Sequence, residues 1–309
     1  MGTTVSLFQK TMKAKHCYLC KENSVQAAFK KLGWTILRCQ SCRLYSLDFN
    51  DSYSKFIREY YNKDFFTGSE TRAGYYSYEG DRSAEEKNMR AYLEGIKKFK
   101  RSGKLLDVGC ATGIFMVEAQ KDGFEVYGID VSDYAVKIAK KRFGKCVKRQ
   151  SVEKAAYTKK KFDVITMFDV IEHLSDPKKV LDRLAMTLAD DGLLVINTGD
   201  TESFLAKIQG RDWHFFIPPQ HFFYFSEKTL RTLLAKSGFA VIQIDRKGKW
   251  LTLRYLFHLA RQIQNDIFGK IGFALFGKNR LGRIPLYLNL FDNITVYATK
   301  QTQQKQKNA

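Results

Sequence analysis

The sequence predicts an α/β protein: a mostly parallel sheet with helices on both faces, preceded by a small metal-bound module. Three observations predict it. Strand-patterned and helix-patterned segments alternate from Lys104 onward, which implies a parallel sheet wrapped by helices. A glycine-rich turn follows the first of those strands. Four of the six cysteines form two C-x2-C pairs near the N-terminus, Cys17/Cys20 and Cys39/Cys42.

The alternation reads in order. "KLLDVG" is a strand, "TGIFMVEAQKDG" a helix stopped by Gly123, and "FEVYGID" a strand. "SDYAVKIAKKRF" is a helix capped by Ser132, and "KFDVITMFD" a strand. "DPKKVLDRLAMTLADD" is a helix with Pro177 in its first turn, and "GLLVINTG" a strand. "SEKTLRTLLAKSGF" is a helix with a Ser226 cap and a Gly238 stop, followed by the strands "AVIQIDR" and "NITVYATK". Ahead of this unit, residues 83–99 have helical periodicity, with Met89, Tyr92, Leu93 and Ile96 on one face. The Tyr-rich run before that helix is either a lid or packing between the module and the main domain.

The two cysteine pairs are eighteen residues apart, and "TILRC" runs as a strand into the second. Each C-x2-C turn points two thiolates at one ion, and four thiolates close a tetrahedral Zn²⁺ shell. The module therefore reads as a zinc ribbon. Its metal is structural, because a closed shell leaves no position for substrate. Cys110 and Cys146 stand alone.

Composition narrows the function classes. With 309 residues and 44% hydrophobic content, the chain can build one large domain with an accessory module. No apolar run approaches the ~18 residues of a membrane span, and the first fifteen residues carry no signal-peptide core, so a cytoplasmic protein is expected. "MGTTVS" matches the loose myristoylation pattern, which nothing else in the chain supports. The net charge of +20 is dispersed over several Lys-rich patches rather than gathered into one stripe. The expected boundaries are 1–50 for the ribbon, 51–100 for a helical, aromatic linker or lid, and 101–301 for the main domain. A helical insertion occupies about 249–290, and 302–309 form a disordered tail.

The first strand ends in Asp107-Val-Gly109-Cys-Ala-Thr-Gly113. Glycines there let the backbone approach a ligand at the carboxyl end of the sheet, and Asp130 at the next strand end suits a ribose diol. The dinucleotide spacing G-x-G-x-x-G is absent. In "LLDVGCATG", "VYGIDVS", "FDVITMFDVIEHLSDP" and "DDGLLVINTGD" the chain resembles the class I S-adenosylmethionine-dependent methyltransferases over residues 100–246. The resemblance implies a Rossmann-like, seven-stranded sheet whose last strand is antiparallel. It also implies S-adenosyl-L-methionine as cofactor. Asp107, Gly109 and Gly113 would line its methionine and ribose. Asp130 would take the ribose hydroxyls, and Val131 would lie against adenine. Val152 or Glu153 would reach the adenine edge, and Asp169 would sit by the methionine. Ala111 replaces the family's usual middle glycine.

A hydroxyl or carbon acceptor needs a base, and imidazole suits that role near neutral pH. His221, in "PPQHFFYFS", and His173, in "VIEHLSDP", both follow strands at the ligand-binding edge and are the candidates. The first stretch resembles zinc-containing methyltransferases of sugar and cell-envelope glycan pathways. Their deoxysugar C-methylating members carry an acid where this chain has Gln220, and a C-terminal domain beyond the span seen here. That favours O-methylation of a sugar, nucleotide-sugar or lipid-linked glycan hydroxyl. The competing readings are an RNA methyltransferase gripping the backbone with its ribbon and basic surface, and a binding module that keeps the fold without catalysis.

Between the last two strands, residues 250–283 combine a helically spaced apolar set (Trp250, Leu253, Phe257, Ala260, Ile267) with Arg254, Arg261, Lys270, Lys278, Arg280 and Arg283. Such a segment fits a pocket lid, a homodimer contact or a peripheral membrane face.

Overall fold

The computed structural model describes residues 16–49, 53–61, 81–154, 161–260, 267–277 and 279–301. The myristoylation-like start, residues 62–80 of the Tyr-rich stretch and the tail 302–309 lie outside the described residues.

The main sheet has seven strands. They are β4 (Gly103–Val108), β5 (Phe124–Asp130), β6 (Val147–Arg149), β7 (Phe162–Phe168), β8 (Leu188–Gly199), β10 (Phe239–Asp245) and β13 (Asn293–Lys300). Their order is β10-β13-β8-β7-β4-β5-β6. The pairs β4–β5, β4–β7, β5–β6 and β7–β8 are parallel, whereas β13 runs antiparallel to both β8 and β10. The central strands are near-continuous apolar runs, as strands covered on both faces must be: Leu105, Leu106, Val164, Ile165, Leu194 and Val195 are fully buried.

The helices cover this sheet by the local rules their sequences announce. Helix α2 (Arg82–Lys97) buries Tyr92, Leu93 and Ile96; the helix ahead of it, α1 (Tyr53–Tyr60), carries the buried Phe56. α3 (Ile114–Lys121) begins at a left-handed Gly113. α4 (Asp133–Phe143) is capped by the Ser132 hydroxyl, which accepts from the Ala135 amide. α5 (Pro177–Thr187) has Asp176 as its cap and proline in its first turn. It ends four residues earlier than the sequence reading: residues 188–191 open β8, because Leu188 pairs with Phe162 and its side chain is fully buried. After the short α6 (Phe204–Gln209), α7 (Glu227–Lys236) starts with a reciprocal Ser226/Thr229 capping box.

The N-terminal module is an antiparallel sheet of β1 (Val25–Lys31), β2 (Trp34–Cys39) and β3 (Tyr45–Leu47). Its fourth strand comes from the main domain: β9 (Phe223–Tyr224) pairs with β3 through Tyr45–Tyr224 and Ser46–Phe223. The insertion before β13 contains β11 (Lys249–Thr252), α8 (Leu253–Ala260), α9 (Ile267–Phe276) and β12 (Pro285–Leu288). Trp250 therefore lies on a strand pairing with Tyr287, not on the helical face expected of it, and the helix begins at Leu253. Among the described residues no helix is long and apolar enough to cross a membrane.

Candidate active site

The glycine-rich turn between β4 and α3 is held in left-handed backbone. Gly109, Ala111 and Gly113 have φ of 76°, 45° and 85°. A Cβ on Gly109 would stand 2.4 Å from Val170 Cγ2, and one on Gly113 2.9 Å from the Phe143 ring. Ala111 adopts a positive φ where glycine is sterically easier, which accounts for a glycine being the more common residue at such a point. Asp130, at the end of β5, fixes this turn. Its Oδ2 accepts from the Ala111 amide (2.9 Å) and its Oδ1 from the Ser132 amide (2.8 Å). Asp107 is buried beneath, its Oδ1 accepting from the Thr166 hydroxyl. Burial pushes the Asp107 carboxyl up to about 7, against the opposing pull of that hydrogen bond. Val131 is half-buried past β5, and Val152 and Glu153 lie in the turn after β6, with Val152 in the core. These residues fit an adenosyl ligand: an open left-handed turn at the carboxyl ends of adjacent parallel strands, beside an acidic strand terminus.

The two candidate bases meet. His173 follows β7 and His221 follows the loop from α6, yet their rings pack edge to face with centroids 4.6 Å apart. His221 Nδ1 lies 2.8 Å from the Phe215 carbonyl oxygen, and His173 Nδ1 lies 2.9 Å from that of Gln220. A carbonyl can only accept, so each Nδ1 carries the hydrogen and each Nε2 keeps its lone pair. Both imidazoles are held neutral: burial lowers their pKa, for His221 well below the ordinary value, with the neighbouring His173 adding to the effect. The Tyr61 hydroxyl lies 2.8 Å from His173 Nδ1, and the Tyr53 hydroxyl donates to the His173 carbonyl. The aromatics after His221 do two jobs. Phe222 packs against Phe49, Tyr53 and Phe56, while Phe223 and Tyr224 form β9 and bind the ribbon.

Two functional groups escaped the sequence reading. Glu172 is fully buried; its Oε2 accepts from the Thr198 hydroxyl and its Oε1 has no partner. Burial, reinforced by Asp169, pushes its carboxyl up to about 8. Glu172, His173 and His221 bring donor atoms within 4.8 Å of one another, an N₂O set that could hold a divalent cation. Adjacency to His173 was the available signal for Glu172. The second is Lys249 of β11, whose Nζ lies 2.9 Å from Asp169 Oδ2. Burial works against its charge, but Asp169, together with Tyr92 and Glu85, outweighs it and holds the ammonium protonated. No spacing rule links residues so far apart in the chain. Asp169 itself sits at φ 52° just past β7.

In the ribbon, Cys17 and Cys42 Sγ are 3.5 Å apart, as are those of Cys20 and Cys39, and all four are free thiols. A tetrahedral Zn²⁺ with Zn–S near 2.3 Å needs sulfurs about 3.8 Å apart, so a small expansion would admit the ion. Lys21 and Arg43, one past each pair, have φ of 67° and 66°, the same turn built twice.

A seven-stranded sheet in this order, with a glycine turn and an acidic strand end at its carboxyl edge, defines the class I S-adenosylmethionine-dependent methyltransferase fold. A family model described as a methyltransferase domain matches residues 80–244, more than half of the chain, and the chain belongs to that family. It is 28% identical over 164 residues to a ubiquinone biosynthesis O-methyltransferase of Cereibacter sphaeroides, covering 47% of this chain and 62% of that one. To the Thiobacillus denitrificans protein of the same description it is 31% identical over 118 residues, 36% of this chain and 51% of the other. The matched segments thus fall short of two thirds of these relatives' length. Among solved structures, magnesium protoporphyrin IX methyltransferase from Synechocystis with bound S-adenosylhomocysteine aligns with TM-score 0.49 and 14% identity, over 80% of this chain and all of that one. A methyltransferase from Archaeoglobus fulgidus aligns with TM-score 0.48 and 21% identity, over 81% of this chain and all of the other.

Proposed function

We propose that the protein transfers a methyl group to a hydroxyl of a small acceptor: a sugar, a nucleotide-sugar or a lipid-linked glycan. The observation that carries the reading is the His173/His221 pair, two neutral imidazoles with free Nε2 lone pairs brought together from distant parts of the chain. The O-methyltransferase names of the curated relatives support oxygen as the acceptor atom. The resemblance of the His221–Ser226 stretch to zinc-containing methyltransferases of sugar and glycan pathways supports a sugar.

When bound, S-adenosylmethionine supplies a methyl on a sulfonium, a leaving group that needs no acid. The chain must then align the acceptor and take its proton. Asp107, Gly109, Gly113, Asp130 and Val131 would hold the methionine, ribose and adenine parts, with Val152 and Glu153 at the adenine edge. Asp169 with Lys249 would frame the methionine end. His221 Nε2 would accept the hydroxyl proton as oxygen attacks the methyl carbon, with His173 the alternative base. Zn²⁺ on Cys17, Cys20, Cys39 and Cys42 would be structural.

The test is mass spectrometry of products from cell extract incubated with methyl-labelled cofactor. A methylated sugar or glycan is expected, and label found only in RNA would overturn the reading. His221→Ala should keep cofactor affinity and lose about 10²–10⁴ in turnover. If chelation abolishes turnover while the ribbon keeps its zinc, the acceptor is held by a metal at Glu172, His173 and His221 instead.

A further inference from the structure

The insertion carries an unusual surface. Of the fourteen large apolar residues exposed among the described residues, nine lie between Ile271 and Phe291. Leu281 is 57% exposed, Tyr287 53% and Phe291 59%. Scattered exposed apolar residues are ordinary, but such a concentration marks an interaction surface. Helix α9 shows the same imbalance. Its sequence, IFGKIGFALF, has one polar residue, Lys270. One side packs on α8, where Phe276 stacks on Phe257 with centroids 5.5 Å apart and Gly272 meets the same ring. Ile271 and Leu275 are left in the open at 53% and 61% exposure. A helix apolar on all sides needs cover beyond its own partner.

Charge says what the cover is. From Ile267 to Phe291 the sequence contains no Asp or Glu, and Lys270, Arg280 and Arg283 are all exposed. Among the described residues these three form no ion pair, while elsewhere arginines such as Arg90 and Arg246 each face several acids. Exposed apolar side chains interleaved with unpaired cations match a bilayer interface, where acyl chains take the first and anionic headgroups the second. A second copy of this chain would bring the same cations against themselves.

We infer that residues 267–291 form a docking surface for an anionic membrane, and that the insertion brings the active site to a lipid-linked acceptor there. The second half rests on the reading that the acceptor is a glycan hydroxyl. The first does not. The link between surface and site is β11: its partner β12 carries Leu286 and Tyr287, and its own Lys249 holds Asp169 at the cofactor edge. Docking therefore acts on an element that touches the site.

The test is flotation of the full chain with vesicles of phosphatidylcholine alone or mixed with phosphatidylglycerol. Binding should require the anionic lipid and fall as salt rises. Arg280→Ala and Arg283→Ala should each weaken it by about fivefold. Leu281→Asp with Ile284→Asp should abolish it while circular dichroism and cofactor affinity stay unchanged. The same double variant should lose turnover on vesicle-borne acceptor and keep it on a water-soluble one. Equal binding to neutral and anionic vesicles, or none to either, would overturn the membrane assignment. So would a dimer in light scattering that the double variant dissociates. Vesicle binding without methylation of any glycan would leave the surface standing and remove the acceptor.

Discussion

Asp130 shows how one side chain serves two purposes. Its carboxylate accepts from the amides of Ala111 and Ser132, so it shapes the glycine-rich turn, and in the proposed reading it would also take the ribose hydroxyls. Asp130→Ala should weaken S-adenosylmethionine binding by about 1.5–3 kcal/mol, read by calorimetry. Unchanged affinity would mean the cofactor lies elsewhere. Asp107 makes a pH prediction. Its carboxyl is raised by burial to about 7 from 3.8, so the folded state prefers it protonated. Its contribution is present below the unfolded pKa and is lost as pH rises through the window between those two values. Asp107→Asn should melt like the parent protein near pH 4. At pH 8, with no ligand, it should be more stable by roughly 2–4 kcal/mol. A constant difference across that range would refute the assignment.

At the scale of elements, the ribbon and the segment after His221 are one sheet. β3 pairs with β9, and His221 stands two residues before β9. The module thus braces the segment that carries His221, the proposed base. Metal analysis should find about one Zn²⁺ per chain. Cys39→Ser should lower thermal stability and reduce turnover more than it reduces cofactor affinity, because among the described residues the turn at 109–113 has no hydrogen bond to the ribbon. Equal losses in both would refute the brace. The sequence made much of this legible. The two C-x2-C pairs, the strand limits of "FEVYGID" and "NITVYATK", and the caps at Ser132 and Ser226 are local signals with local causes. "PPQHFFYFS" was legible as important but not as a strand. Its role is set by pairing with Tyr45 and Ser46, far away in the chain, and no local pattern encodes such a partner. The same holds for residues 188–191, where helical periodicity lost to the pairing of Leu188 with Phe162.

At the scale of the whole molecule, buried polar groups tie the insertion to the body. Asn88 on α2 clasps the Trp250 backbone twice: its Nδ2 donates to the carbonyl at 2.9 Å, and its Oδ1 accepts the amide at 2.7 Å. Asp81 Oδ1, just before α2, pairs with Arg254 Nε at 2.9 Å, and both residues are buried. Truncating Asp81 would remove a buried carboxylate from the Arg254 guanidinium and cost about 3–5 kcal/mol, a loss too large to separate attachment from folding. Asn88→Ala is the cleaner probe. It leaves the Trp250 amide and carbonyl without their partners, at about 1–3 kcal/mol, and changes nothing in the seven-stranded sheet. Lys249 precedes Trp250, so releasing that residue should also loosen the Lys249–Asp169 pair at the cofactor edge. Hydrogen exchange should then speed up across β11 and β12 while β4, β7 and β8 keep their protection. Cofactor affinity should fall by several-fold, and Lys249→Met alone should reproduce that fall. If Asn88→Ala exposes β11 and β12 yet leaves cofactor affinity intact, the insertion covers the site without shaping it. If exchange speeds up through the core strands as well, α2, the insertion and the sheet unfold as one unit.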